Sequence, residues 1–331
     1  MSEGKERIEG LAGPIEDLAP RIAAIRAEVG KILVGQRTMV DGLLIGLLSN
    51  GHLLLEGVPG LAKTTAIKAL AWALDVRFSR IQFTPDLLPA DVVGTEIYNP
   101  QDHSFSTRQG PIFANLVLAD EINRAPAKVQ AALLEAMQER HVTIGKETFH
   151  LPSPFLVLAT QNPVEQEGTY PLPEAQLDRF LLKVLIDYPD QEDEVAIVEA
   201  VTSGMVGDKL DVSAVTPVMG PEEAVALQAT VAGVTVDQRN VDYAVRIVRA
   251  TRERRGIVLG AGPRGAIALI RGARAMAVLE GRNFVTPDDI KGIAKPALRH
   301  RIAIAPELEI EGQQADDALA RILASVEAPR E

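Results

Sequence analysis

A glycine-rich loop between an apolar run and a helix is the part of the sequence best suited to chemistry. Leu53 to Leu55 precede the loop, and a predicted helix begins near Lys63. In such a loop backbone N–H groups converge on phosphate oxygens, a lysine ammonium reaches the β and γ phosphates, and a hydroxyl ligates Mg²⁺. The sequence therefore predicts a site for ATP and Mg²⁺, formed by Gly57, Val58, Pro59, Gly60, Leu61, Ala62, Lys63, Thr64 and Thr65.

The loop departs from the generic phosphate-binding pattern at Ala62, where that pattern has glycine. A methyl group fits at this position only if the backbone keeps a negative φ. We therefore expect Ala62 to have a negative φ.

Two adjacent acids follow the apolar run Leu116 to Ala119. Asp120 is predicted to reach Mg²⁺ together with Thr64, and Glu121 to orient and deprotonate the attacking water. An ordinary acid pair at a strand end is the alternative, and the lysine loop upstream argues against it. Asn162 ends the next apolar strand, where its amide could hold the water beside the γ-phosphate.

The elements around these residues alternate between strand and helix up to about residue 160. Strands are predicted at 53–55, 78–83, 116–118 and 155–159, with helices from about Lys63 and from Pro126. This alternation indicates an α/β fold, a parallel sheet with helices on both faces. Residues 1 to about 50 are predicted to be helical. Two hairpins are predicted at 95–108 and 142–149, either surface decoration or loops that touch a substrate or neighbour.

Strand patterns end at Tyr188 and Pro189, and the remainder has helical periodicity. We place a domain boundary there, with a nucleotide-binding α/β core at 1–188 and an all-α lid domain at 189–331. Thr286 followed by Pro287 predicts the start of one lid helix, with a capping hydroxyl and proline in the first turn.

The composition of the 331 residues limits the classes of function. There are 34 Lys and Arg against 45 Asp and Glu, a net charge of −11, so nucleic acid is not the expected partner. There is no cysteine, which excludes disulfides and thiolate chemistry. The five histidines share no metal-ligand spacing and are interpreted as structural. Neither a signal peptide nor a membrane-spanning run is predicted, and a cytoplasmic location is the expectation.

The chain resembles the MoxR family of AAA+ ATPases over nearly its whole length. In that family the loop is GVPGLAKT, so Ala62 is a family trait. The other stretches that carry the resemblance are Thr84 to Pro89, Gly110 to Phe113, Asp120 to Pro126, Ala159 to Pro163 and Leu177 to Phe180.

The resemblance implies a hexameric ring with ATP between neighbouring subunits. Asn162 matches the first sensor and Arg264 the second sensor, both on the γ-phosphate, while Arg179 matches the arginine finger of a neighbour. Salt bridges from Arg179 to nearby acids and a solvated Arg264 remain the alternatives. The segment that packs against adenine matches Val34, Gly35 and Gln36.

The leading interpretation is an ATP-driven, chaperone-like motor that remodels a protein partner. The resemblance implies partners that carry a von Willebrand factor A domain. The alternatives are a motor subunit similar to those of metal chelatases, a DNA translocase, and a nucleotide-bound scaffold that does not hydrolyse ATP. Whether Arg124 belongs to the active site stays open.

Overall fold

The structure is a computed structural model that describes residues 15–33, 35–58, 61–101, 103–162, 168–202 and 212–329. The strands in chain order are β1 Leu53–Gly57, β2 Phe78–Gln82, β3 Gly94–Asn99, β4 Ser104–Gln109, β5 Leu116–Asp120, β6 His141–Ile144, β7 Glu147–His150, β8 Leu156–Gln161, β9 Leu182–Ile186, β10 Ile257–Leu259 and β11 Ala303–Ile304. The helices are α1 Ile15–Gly30, α2 Arg37–Leu48, α3 Lys63–Ala73, α4 Pro89–Val93, α5 Ala127–Glu139, α6 Glu174–Leu177, α7 Gln191–Thr202, α8 Pro221–Ala232, α9 Gln238–Glu253, α10 Pro263–Leu279, α11 Pro287–Leu298, α12 Pro306–Ile310 and α13 Ala315–Ser325.

The centre of the fold is a five-stranded parallel sheet in the order β2-β5-β8-β1-β9. The three inner strands are almost continuous apolar runs, as expected for strands that are covered on both faces. Helices α1, α2 and α3 pack on one face, and α5 covers the other. The predicted α/β fold and the two leading helices are confirmed for the described residues.

The prediction missed β9, which pairs with β1 along its whole length. Its sequence alternates, with Leu182, Val184 and Ile186 buried and Lys183 and Leu185 more exposed. This pattern is typical of an edge strand, and it is weaker than the apolar runs that identified the inner strands.

Both predicted hairpins are present outside the main sheet. Strands β3 and β4 pair in one, and β6 and β7 pair in the other. Gly145 has φ +61° in the second turn, the left-handed conformation that a two-residue hairpin turn requires. The structure does not describe Asp102 in the first turn.

The C-terminal region is a helical bundle in which α10 packs closely against α11. Gly272 permits this approach, because a Cβ there would collide with the side chain of Ile293. Thr286 caps α11 as predicted, accepting a hydrogen bond from the N–H of Asp289. The bundle also contains the short pair β10–β11, so the prediction that it is entirely helical was wrong in this detail. Among the described residues, no helix is both long and apolar enough to span a membrane.

A buried histidine gives the fold a predictable dependence on pH. His52 bridges two elements: its ring bonds the carbonyl of Met137 at 3.0 Å and accepts from the N–H of Val157 at 2.9 Å. Burial, followed by the charge of Arg140, lowers the pKa of His52 from 6.5 to about 3. Below pH 6.5 the imidazole of His52 therefore binds a proton in the unfolded chain but stays neutral in the folded chain until the pH nears 3.

We expect this histidine to lower the free energy of unfolding by about 1.4 kcal/mol per pH unit between pH 6 and pH 4, and to have no effect above pH 7. His300 contributes in the same direction, because burial lowers its pKa as well. Urea unfolding of wild type and His52→Gln between pH 7.5 and 5 measures this. In His52→Gln the free energy of unfolding should change with pH about half as steeply as in wild type, because His300 remains. Equal slopes would contradict the assignment of a lowered pKa to His52.

Candidate nucleotide site

The carboxyl ends of β1, β5 and β8 meet at one edge of the sheet, and the predicted site lies there. These strands are neighbours in the sheet, so the loop, the acid pair and Asn162 converge. They form a cleft of about 380 Å³, here called the phosphate cleft. Its lining residues are Gly57, Leu61, Ala62, Lys63, Thr64, Thr65, Arg80, Asp120, Glu121, Thr160, Gln161 and Asn162.

Lys63 is the first residue of α3 and lies between the loop and the acids. Its Nζ donates a hydrogen bond to the carbonyl of Gly57 at 2.6 Å. Burial lowers the pKa of Lys63, and the nearby carboxylates of Asp120 and Glu121 oppose that shift. A Cβ at Gly57 would collide with the carbonyl oxygen of Ile186, so this glycine is also required by the pairing of β1 with β9. Pro59 and Gly60 lie outside the described residues.

Ala62 differs from our expectation, because its φ is +52°. This left-handed conformation costs an alanine about 1–2 kcal/mol. Ala62 is the N-cap of α3, and its carbonyl accepts the N–H of Ala66 at 2.9 Å, which starts the helix directly after the turn. The turn thereby places the N-terminus of α3, where the first N–H groups have no acceptor within the helix, beside the cleft.

The two acids are held by the hydroxyl of Thr160, which is 2% exposed. This hydroxyl donates to Oδ1 of Asp120 at 2.5 Å and accepts from the N–H of Glu121 at 2.8 Å. Glu121 has φ +56°, a left-handed turn that directs its carboxylate away from the strand direction. Thr160 therefore fixes both acids relative to β8, the strand that ends beside Asn162.

Two residues that contact the acid pair, and that the sequence did not indicate, come from the edge strand β2; of the two, Arg80 lines the cleft. Arg80 donates to Oδ2 of Asp120 through Nη2 at 2.6 Å and also to the amide oxygen of Gln82. Gln82 in turn donates to Oε2 of Glu121 at 2.9 Å. The side chains alternate along β2, so both face the same side of the sheet. The signal in the sequence was that Arg80 and Gln82 are polar residues on one side of a predicted strand.

Arg124, which the sequence left open, also contacts the acid pair. Its Nη1 donates to Oε2 of Glu121 at 3.2 Å. Glu121 thus lies between an amide from β2 and a guanidinium from the turn after β5. Asn162 lines the same cleft, as its position after β8 suggested.

The segment predicted to pack against adenine precedes α2. Gly35 has φ +72°, and a Cβ there would collide with Asp193 of α7. Gln36 is buried. The segment therefore lies against the helix that follows the sheet, while Val34 lies outside the described residues.

Arg179 and Arg264 do not line the phosphate cleft. Both line a separate cleft of about 420 Å³ at the amino ends of the strands, here called the amino-edge cleft. We expected Arg264 to face the γ-phosphate of its own subunit, and the structure instead places it beside Arg179. The lining residues of the amino-edge cleft are Asn50, Gly51, His52, Met137, Gln138, Arg140, Asp178, Arg179, Leu181, Arg264, Ile267, Ala268, Arg271 and Arg301.

The amino-edge cleft is strongly cationic. It contains five arginines, and Asp178 is the one carboxylate among its lining residues. Burial, followed by the charge of Arg271, lowers the pKa of Arg140 to about 10. Among the described residues the guanidinium of Arg179 has no hydrogen-bond or ion-pair partner. Such a cleft is suited to an anion that presents several oxygens.

The donor set of the phosphate cleft fits a small divalent cation with oxygen ligands. Thr64 offers a hydroxyl and Asp120 a carboxylate, the ligand types that Mg²⁺ prefers. Within the described ranges, no cluster of three or more histidines, cysteines or acids suggests a transition-metal site.

Comparison with known proteins places the chain among ATPases. Residues 52–182 match the ATPase family associated with various cellular activities (AAA), and residues 249–322 match the AAA lid domain. The chain is 44% identical to Chaperone MoxR1 of Mycobacterium tuberculosis, with 97% of this chain and 85% of that protein aligned. It is 45% identical to YeaC of Bacillus subtilis, with 95% and 97% aligned.

A crystal structure of a candidate ATPase from Cytophaga hutchinsonii has the same fold. It superimposes with a TM-score of 0.87 at 43% identity and covers 99% of both chains. The parallel sheet and the helical C-terminal region therefore have counterparts in that structure. The chain belongs to the MoxR family of AAA+ ATPases.

Proposed function

We propose that this chain is a Mg²⁺-dependent ATP hydrolase that assembles into a ring and uses hydrolysis to remodel a protein partner. One observation carries the proposal. Lys63, Asp120 and Glu121 line a cleft at the carboxyl edge of the sheet, whereas Arg179, whose guanidinium has no partner among the described residues, lies at the amino edge.

The phosphate cleft contains the groups that hydrolysis needs. Lys63 and the N-terminus of α3 attract the phosphates, and Glu121 accepts the proton of the attacking water. Asn162 holds that water or the γ-phosphate oxygen beside it. Thr64 and Asp120 would hold Mg²⁺, which neutralises charge on the β and γ phosphates when it is bound.

Arg179 is too far from the phosphate cleft of its own subunit to take part there. It precedes β9, and Gly57 ends β1, the neighbouring strand; a parallel strand of five residues spans roughly 15 Å. An arginine that stabilises the γ-phosphoryl transition state from this position must therefore do so in a second subunit.

A head-to-tail arrangement of this kind supports a ring. The phosphate cleft of one subunit and the amino-edge cleft of the next are different surfaces, so their contact is heterologous and can close into a cycle. We propose six subunits, as the family resemblance implies. Arg264 would then join Arg179 on the nucleotide of the neighbour, which revises its expected role in its own subunit.

A protein client is the finer part of the proposal, supported by the relative named Chaperone MoxR1. We propose that the chain acts in the cytoplasm, on a partner protein that carries a von Willebrand factor A domain. The net charge of −11 argues against a nucleic-acid track. ATPase turnover measured with and without DNA tests this point: stimulation by DNA would favour a translocase instead.

Lys63→Ala tests the nucleotide site itself. The variant removes a charge-assisted contact to the β and γ phosphates, which is worth about 1.5–3 kcal/mol, so ATP affinity should fall about 10-fold to 100-fold. Calorimetric titration with ATP measures this. Lys68→Ala is the matched control, because Lys68 lies exposed on the same helix, outside the cleft. Wild-type affinity in Lys63→Ala would refute the site.

A further inference from the structure

A buried arginine of the lid binds the chain segment that carries Arg179. Arg301 follows α11, and its side chain is only 4% exposed. Its Nε donates to Oδ1 of Asp178 at 2.7 Å, and its Nη2 donates to the carbonyls of Asp178 at 3.2 Å and Phe180 at 2.6 Å. Its Nη1 donates to the carbonyl of Leu181 at 3.1 Å. These four contacts lie on both sides of Arg179.

The contacts are energetically significant because the guanidinium is removed from water. A buried charge is tolerated only when it is paired and hydrogen-bonded, and here the segment 178–181 supplies a carboxylate and three carbonyl oxygens. In return, the fork of Arg301 fixes the backbone at three carbonyls, those of Asp178, Phe180 and Leu181. His300 adds a second contact to one of these carbonyls, since its ring bonds that of Phe180 at 3.1 Å.

Arg179 itself has no such restraint on its side chain. Among the described residues its guanidinium makes no hydrogen bond or ion pair, so the backbone that Arg301 holds determines where it points. A second lid arginine approaches the same acid: Nη1 of Arg264 is 3.6 Å from Oδ2 of Asp178. The lid therefore contacts this segment from α10 and from the end of α11.

We propose that Arg301 is a positioning residue that sets the direction of Arg179, so that the lid of one subunit controls hydrolysis in its neighbour. The inference rests on the proposed function, because it needs Arg179 to act across an interface. The simpler alternative is that Arg301 only fastens the lid to the core. The two ideas differ in which subunit's ATP site a substitution damages.

Arg301→Lys is the first test. Lysine keeps the charge and one contact to Asp178, but it cannot hold the carbonyls of Phe180 and Leu181 together. A misplacement of a catalytic group by about 1 Å can cost about 10²-fold in rate, so we expect kcat to fall about 10-fold to 100-fold with ATP affinity unchanged.

Arg299→Gln is the matched control. Arg299 lies two residues earlier and likewise pairs with a carboxylate, that of Asp316 at 2.7 Å, and with one core carbonyl, that of Lys183. It makes no hydrogen bond or ion pair with residues 178–181. If loosening the lid were sufficient, Arg299→Gln would lower kcat as much as Arg301→Lys; we expect less than about a two-fold change.

Mixed rings decide in which subunit Arg301 acts. Rings of Arg301→Lys and Glu121→Gln subunits contain sites with an intact Glu121 facing an intact Arg301, so their activity should exceed the average of the two pure rings. Rings of Arg301→Lys and Arg179→Ala subunits should show no such gain, since every finger is impaired. The opposite pattern, or wild-type kcat in Arg301→Lys, would overturn the proposal.

Thermal unfolding of each variant controls for folding. If Arg301→Lys does not fold, Asp178→Asn replaces it, because this substitution weakens the same contact from the other side. Asp178→Asn should give the same results in mixed rings as those expected for Arg301→Lys. Failure of the proposed function gives a different result: the reference mixture of Glu121→Gln with Arg179→Ala would then regain no activity at all.

Discussion

Arg179→Ala is expected to lower ATP turnover by about 10³-fold or more while ATP affinity stays nearly unchanged. The phosphate cleft of each subunit keeps Lys63 and Glu121, so binding does not depend on Arg179. The transition state spreads charge over the γ-phosphoryl oxygens, and a guanidinium delivered there stabilises it selectively. Steady-state hydrolysis and calorimetric titration measure the two quantities.

Arg249→Ala is the matched control for this prediction. Arg249 is an exposed arginine of α9, with Glu253 3.8 Å away, and it lines neither cleft. Its removal should leave turnover within about two-fold, because exposed ion pairs contribute little. If Arg179→Ala resembles this control, the amino-edge cleft does not face a nucleotide.

Mixing Arg179→Ala subunits with Glu121→Gln subunits shows in which subunit Arg179 acts. Neither pure ring has a complete site, but mixed rings place some intact Arg179 beside some intact Glu121. Recovery of turnover shows that the two groups come from different subunits. No recovery in rings shown to be mixed would overturn the proposal that Arg179 acts on the nucleotide of a second subunit.

The sequence was sufficient to predict the position of a site residue where one short segment determines the local geometry. The loop around Lys63 and the acids after β5 each stand at the end of an apolar strand, and parallel strands bring such ends to one edge. These positions follow from local pattern and from the general topology of α/β folds. The hairpin turn at Gly145 was predictable for the same reason.

The sequence was insufficient where the geometry depends on distant pairing. Gln82 reaches Glu121 only because β2 pairs with β5 in a register that places Gln82 beside Asp120. The bond from Arg301 to Asp178 joins residues 123 positions apart. Ala62 shows a third limit, since its positive φ is set by the helix start that it must produce, against its own preference.

Glu121→Gln is expected to keep ATP binding and to lower turnover by about 10² to 10⁴-fold, the usual contribution of a general base. Glutamine keeps the length of the side chain, and its amide oxygen can still accept from Gln82 and Arg124. It cannot take a proton from water. Glu135→Gln, an exposed substitution on α5, is the control and should turn over ATP as wild type does.

Glu121→Gln should also assemble into rings more completely with ATP than with ADP. The γ-phosphate of one subunit is the anion that Arg179 and Arg264 of the next would contact, and charge-assisted contacts of this kind favour the closed interface. Slow hydrolysis prolongs them. Light scattering of wild type and Glu121→Gln with ATP, with ADP and without nucleotide measures the assembled fraction.

The expected order of assembly is Glu121→Gln with ATP above wild type with ATP, and both above either protein with ADP. Wild type falls between these limits because turnover continually removes the γ-phosphate that bridges the two clefts. A double variant, Glu121→Gln with Arg179→Ala, should return to the level seen with ADP, since the bridging anion then has lost its main partner. If Glu121→Gln binds ATP yet assembles equally with both nucleotides, the γ-phosphate does not join the subunits, and the five arginines of the amino-edge cleft serve another anion.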